Sequence, residues 1–125
     1  MRALVVDDSR AIRSVISRML REMGYSVVEA GNGQEALDQL GTVGFVPELA
    51  LLDWNMPVMD GFTLLTTLRA DAKYSGMRIM MVTTETEMER MQAAIIAGAN
   101  EYLMKPFTPD ALRDKLGLLG LAQAA

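Results

Sequence analysis

The residues able to do chemistry in this chain are few in type and gathered in place. Among its 125 residues there is no His and no Cys. A Ser-His-Asp or Cys-His nucleophile, a thiolate zinc site and a disulfide framework are therefore excluded. Carboxylates, lysine, hydroxyls and an oxygen-bound metal remain. Asp7 and Asp8 follow the apolar run Ala3–Val6, and Asp53 ends Leu49–Leu52. Thr83 and Thr84 end Ile79–Val82, and Lys105 ends Glu101–Met104. Three carboxylates in one crevice repel one another, and one takes up a proton unless a cation intervenes. All-oxygen ligation points to Mg²⁺ rather than zinc. Lys105 can hold an anion, and a Thr hydroxyl can donate to it. The set reads as a Mg²⁺-assisted phosphoryl site with Asp53 available as nucleophile. Carboxylates form aspartyl-phosphates and need no base to activate them.

Each of these residues has a plainer role when taken singly. An Asp or Ser after a strand is commonly a helix N-cap, which fits Asp8 or Ser9. A Thr at a strand end is commonly a turn residue, and a Lys before Pro a solvated loop residue. Their conjunction at the ends of alternate strands favours the functional reading.

The elements that must position them follow from periodicity. Continuous apolar runs of four or so residues suit strands buried on both faces. They alternate with helix-period segments. Ile12, Val15, Ile16, Met19, Leu20 and Met23 form one amphipathic stripe, with Ser9 as N-cap and Gly24 as stop. A second strand over Ser26–Glu29 leads to a helix from near Gly33 carrying Ala36, Leu37 and Leu40. Phe62, Leu65 and Leu68 mark the third helix. Met91, Ile95 and Gly98 mark one stripe of a fourth over about 86–97. A fifth over about 109–119 carries Leu112, Leu116 and Leu119, with Pro109 in its first turn. Five βα units predict an α/β fold: a doubly wound five-stranded parallel sheet covered by helices on both faces, flavodoxin-like. In strand order 2-1-3-4-5 the order reverses between strands one and three, where open sheets of this kind bind ligands. Asp7, Asp8 and Asp53 then flank one crevice. The reading is one domain over 1–120 and a C-terminal tail over 121–125.

Composition narrows the rest. Twelve basic and 16 acidic residues give a net charge of −4, against non-specific nucleic-acid binding. No apolar run approaches the length of a membrane span, and the apolar start is too short for a signal peptide. A cytoplasmic protein without membrane insertion is expected. The 11 Met residues are read as core filling.

Four motifs in order carry a resemblance that covers the chain from Leu4 to about Leu119. They are Val5-Val6-Asp7-Asp8-Ser9, Leu51-Leu52-Asp53-Trp54-Asn55-Met56-Pro57-Val58-Met59-Asp60-Gly61, Met81-Val82-Thr83-Thr84-Glu85 and Tyr102-Leu103-Met104-Lys105-Pro106-Phe107. Together they resemble the receiver domain of bacterial two-component response regulators. The stretch from Asp53 to Gly61 is especially similar to the stand-alone, CheY-like regulators. The resemblance implies that Asp53 accepts a phosphoryl group from a sensor histidine kinase or phosphotransfer protein, dependent on Mg²⁺. It implies Mg²⁺ ligation by Asp8, Asp53 and the Asn55 carbonyl, with Asp7 acting through water. Lys105 pairs with the phosphoryl oxygens, Thr83 moves in to bond them, and Tyr102 turns inward as Thr83 leaves. The Lys105–Pro106 bond is expected to be cis. Asn55 and Glu85 are expected to tune self-dephosphorylation, towards a short-lived phosphoryl group. The switching surface runs from strand four to helix five and meets a protein target. A monomer without DNA-binding output is expected, a signalling switch rather than an enzyme acting on a separate substrate. Thr84 departs from the family pattern, which often has Ala there. Trp54 is read as a packing residue at the site edge.

Rival readings stay open on the residues alone. Gly31-Asn32-Gly33-Gln34-Glu35-Ala36 fits a weak G-x-G-x-x-A nucleotide motif. A carboxylate phosphatase and a phosphate-sink or relay receiver without its own output are the others.

Overall fold

The computed structural model describes residues 1–121, apart from the side chain of Glu85. Most of the expected tail, 122–125, lies outside the described residues. Five parallel strands form one sheet: β1 (Arg2–Val6), β2 (Ser26–Ala30), β3 (Leu49–Asp53), β4 (Arg78–Thr83) and β5 (Glu101–Met104). Their order is β2-β1-β3-β4-β5, as expected. The connecting helices are α1 (Arg10–Glu22), α2 (Gly33–Thr42), α3 (Gly61–Arg69), α4 (Met91–Ala97) and α5 (Pro109–Leu118).

The apolar runs work as doubly buried strands because alternate side chains face alternate cores. Leu4, Val6, Ala50, Leu52, Ile79 and Met81 enter the core shared with Ala36 and Leu40 of α2, Leu64, Leu65 and Leu68 of α3, and Met91 and Ala94 of α4. Ala3, Val5, Leu49, Leu51, Met80 and Val82 enter the other, with Ile16 and Leu20 of α1 and Leu112 and Leu116 of α5. The chain therefore leaves β1 and β3 towards opposite faces. A crevice opens between their carboxyl ends.

The helix starts are locally determined. Ser9, Asn32, Asp60 and Thr108 each accept a hydrogen bond from the backbone N–H three residues on. Pro109 occupies the first turn of α5. Gly98, at φ 117°, ends α4 in the left-handed region, where a Cβ would be strained.

Three expectations change. The segment Glu85–Arg90 is a 3-10 helix, so α4 proper is only seven residues long. Its buried stripe is Met91 and Ala94, while Ile95 is 45% exposed. The tighter 3-10 turns rotate the following side chains out of phase with a continuous α-helix. A short 3-10 turn, Ala72–Tyr74, precedes β4, and its Tyr74 packs into the core. On α1, Ile12 and Val15 stay largely exposed, because the apolar stripe is wider than its contact with the sheet.

Candidate functional site

The sheet edge gathers the polar residues that the sequence places at strand ends. Asp7, Asp8 and Asp53 each offer a carboxylate oxygen within 4.8 Å of the others. Their environments differ. Asp7 is buried, and its Oδ1 accepts from the Ser9 N–H at 2.8 Å. Its carbonyl accepts from Arg13, which is itself paired with Glu29 of β2. Asp8 is exposed, and Asp53 is buried at the end of β3. Register explains the meeting: Val6 pairs with Leu52, so the next residues of the two strands emerge side by side.

Lys105 closes the site from the far side of β4. Its Nζ donates to Asp7 Oδ2 and to Asp53 Oδ1, both at 3.0 Å. The Lys105 N–H donates to the Thr83 carbonyl at 2.7 Å, which continues the β4–β5 ladder into the loop. The Lys105–Pro106 bond is cis.

Gly61 sets how closely α3 approaches the acceptor strand. A Cβ there would lie 2.1 Å from the Asp53 carbonyl oxygen. Its own N–H donates to the Trp54 carbonyl. Only a residue without a side chain allows α3 to start directly under Asp53.

The electrostatics follow from this burial. Desolvation pushes the Asp53 carboxyl up to about 6. The Lys105 hydrogen bond opposes that rise, and the neighbouring Asp7 charge adds to it. Burial alone would lower the Lys105 ammonium, but its bonds to Asp53 and Asp7 outweigh this and raise it. Three carboxylates against one ammonium leave a formal charge of about −2 in a single crevice. That surplus and the all-oxygen donor set fit a divalent cation of the Mg²⁺ type.

Thr83 is fully buried at the end of β4. Its hydroxyl donates to the Thr84 carbonyl at 3.2 Å and reaches Glu87 Oε1 at 3.5 Å. Tyr102 is half-buried, with the Lys115 ammonium 4.2 Å above its ring. Trp54 is buried, tilted against Phe62 at 5.9 Å, with the Arg90 guanidinium over its face. The glycine-rich segment after β2 serves packing. Asn32 caps α2, and the Gly33 N–H donates to the Met59 carbonyl at 3.1 Å.

One site residue went unread in the sequence. Glu87 is a buried carboxylate. Its Oε1 accepts from the Thr84 N–H and lies against the Thr84 hydroxyl, both at 2.9 Å. Its Oε2 accepts from the side-chain amide of Asn55. The spacing Thr84-x-x-Glu87 is that of a capping box, which was the available signal. The Thr84 hydroxyl, where the family often has Ala, is thus engaged.

Residues 3–117 match the family model described as the response regulator receiver domain. The chain belongs to the response regulator receiver family. A chemotaxis protein CheY homolog of Campylobacter jejuni is 44% identical to this receiver over 117 residues, which cover 93% of this chain and 89% of that protein. The solved structure of Vibrio cholerae chemotaxis protein CheY4 superposes with a TM-score of 0.84 at 38% identity, covering 94% and 96% of the two chains. A CheY-like receiver domain protein from Methanospirillum hungatei gives 0.83 at 34% identity, covering 94% and 91%. Among the described residues no helix is long and apolar enough to cross a membrane.

Proposed function

We propose that this receiver, taken as residues 1–120, accepts a phosphoryl group on Asp53 from the phosphohistidine of a sensor kinase or phosphotransfer protein. The observation that carries this is one ammonium, Lys105 Nζ, at 3.0 Å from both Asp7 and the would-be acceptor Asp53. An Asp53 oxygen attacks phosphorus, and the P–N bond to the donor imidazole breaks. The electron pair goes to that nitrogen, which takes a proton from solvent. Phosphoryl transfer needs positioning and charge neutralisation more than covalent assistance, and Lys105 supplies both. Asp8, Asp53 and the Asn55 carbonyl would hold a Mg²⁺ ion, with Asp7 behind them. When bound, that ion adds neutralising charge at the transferring phosphoryl oxygens.

Phosphorylated Asp53 carries charge that Lys105 and the Thr83 hydroxyl can bond. Carrying a two-state balance from 1:99 to 99:1 takes about 5.5 kcal/mol of differential stabilisation. Two or three charge-assisted hydrogen bonds of about 1.5–3 kcal/mol each are of that size. Thr83 and Tyr102 are the switch residues, and the surface from β4 to α5 is the output face for a protein target. The chemotaxis proteins among the named relatives favour a chemotaxis-type pathway, and the protein works in the cytoplasm. Asn55 and Glu85 set the phosphoryl lifetime, so Glu85→Lys changes the rate of its decay. An unchanged time course would exclude that role.

The reading is tested with Mg²⁺ and beryllofluoride, a phosphoryl mimic, followed by Trp54 fluorescence. The ring is buried beside Asp53 and touches Arg90 of the 3-10 segment. A Mg²⁺-dependent change that disappears in Asp53→Ala is expected. A change that survives that substitution would overturn the reading.

A further inference from the structure

Glu87 does more than a helix cap requires. A capping box uses one carboxylate oxygen, and here Oε1 meets that need at the Thr84 N–H. The second oxygen is committed to Asn55, 32 residues away on the loop that follows the acceptor strand. The same carboxylate lies 3.5 Å from the Thr83 hydroxyl. A buried carboxylate is costly to keep unless its lone pairs are used, and this one is used by both sides of the site.

We infer that Glu87 is a latch of the resting state, a positioning residue that ties the Asn55 amide to the Thr83–Thr84 pair and so opposes switching. The inference rests on Asp53 being the phosphoryl acceptor. In the resting arrangement the Thr83 hydroxyl is engaged by the Thr84 carbonyl and Glu87. To bond an oxygen carried on Asp53 it must leave both. Glu87 therefore bonds the resting arrangement and loses those bonds in the switched one, and such differential interaction is what moves a two-state balance. Weakening it should make switching easier without touching the acceptor.

The test titrates beryllofluoride at saturating Mg²⁺ into the full chain, read by Trp54 fluorescence and by the Asn55 side-chain NH₂ resonances. Wild type, E87Q, N55A and the double variant are compared. Gln keeps the volume and one oxygen for the Thr84 N–H, so the cap survives. E87Q is expected to lower the beryllofluoride midpoint roughly tenfold, the size of one lost charge-assisted hydrogen bond. In the N55A background the same substitution should shift the midpoint by no more than about twofold, since the coupled partner is gone. In wild type, beryllofluoride should move the Asn55 NH₂ resonances towards their E87Q positions, a readout that needs no variant to fold. An unchanged E87Q midpoint, a full tenfold shift persisting in N55A, or Asn55 NH₂ signals indifferent to beryllofluoride would each overturn the latch. If wild type responds to beryllofluoride and E87Q behaves like it, the latch fails while the phosphoacceptor reading stands. If wild type does not respond at all, both fall together.

Discussion

Replacing Asp53 with Asn should stabilise the fold, and only above a definite pH. Burial lifts the Asp53 carboxyl from its ordinary 3.8 to about 6. At 1.36 kcal/mol per pH unit, the ionised carboxylate then costs the native state about 3 kcal/mol relative to the unfolded chain. The native state holds the proton more tightly, so this group favours folding below pH 3.8 and loses that contribution as pH rises through 6. Asp53→Asn mimics the protonated form and keeps an oxygen for Lys105. At pH 7.5 without divalent metal the variant should be more stable by about 2–3 kcal/mol. For a chain of this size that corresponds to a Tm higher by about 10 °C. At pH 4 the two proteins should melt together. Thermal unfolding followed by circular dichroism across pH 4–8 checks this. A variant less stable at pH 7.5, or a difference independent of pH, would refute the claim that the acceptor is held against its charge.

Other expectations follow from single contacts. Gly61→Ala places a Cβ 2.1 Å from the Asp53 carbonyl oxygen. It should cost about 3 kcal/mol in denaturant unfolding through forced backbone displacement, and slow phosphorylation as well. Lys105→Ala should leave Mg²⁺ binding by calorimetry largely intact while blunting the beryllofluoride response; normal switching would refute its role. At pH 7.5 it should also destabilise the metal-free protein by about 3 kcal/mol, because two buried carboxylates lose their cation. Arg69 donates to the carbonyls of Gly98, Tyr74 and Met77 and to Asn100 Oδ1, tying α3 to the start of β4 and the end of α4. Arg69→Ala should cost about 2–4 kcal/mol by the same unfolding measurement, since it leaves several acceptors unpaired.

The strands, their order and the gathering of Asp7, Asp8, Asp53, Thr83 and Lys105 at one edge were legible in the sequence. A doubly wound sheet makes continuous apolar runs, and its topology brings every carboxyl end to one side. What escaped depends on contacts between segments distant in sequence. Glu87 reads locally as a cap, and nothing in its spacing shows that Asn55 will lie within reach. The 3-10 start of the fourth helix escaped because Met91 and Ile95 fit a regular helical period. Only the turn preceding them shows that Ile95 faces outward. On α1 the pattern gave the apolar stripe but not which part of it the sheet would cover, so Ile12 and Val15 read as core and lie at the surface.

If Asp53 is the phosphoryl acceptor, treatment with acetyl phosphate followed by intact mass measurement will show it. One added phosphoryl group is expected, formed with Mg²⁺, prevented by EDTA, mapped to Asp53 by borohydride trapping, and absent in Asp53→Asn. No Mg²⁺-dependent adduct, or an adduct that persists in Asp53→Asn, would contradict it.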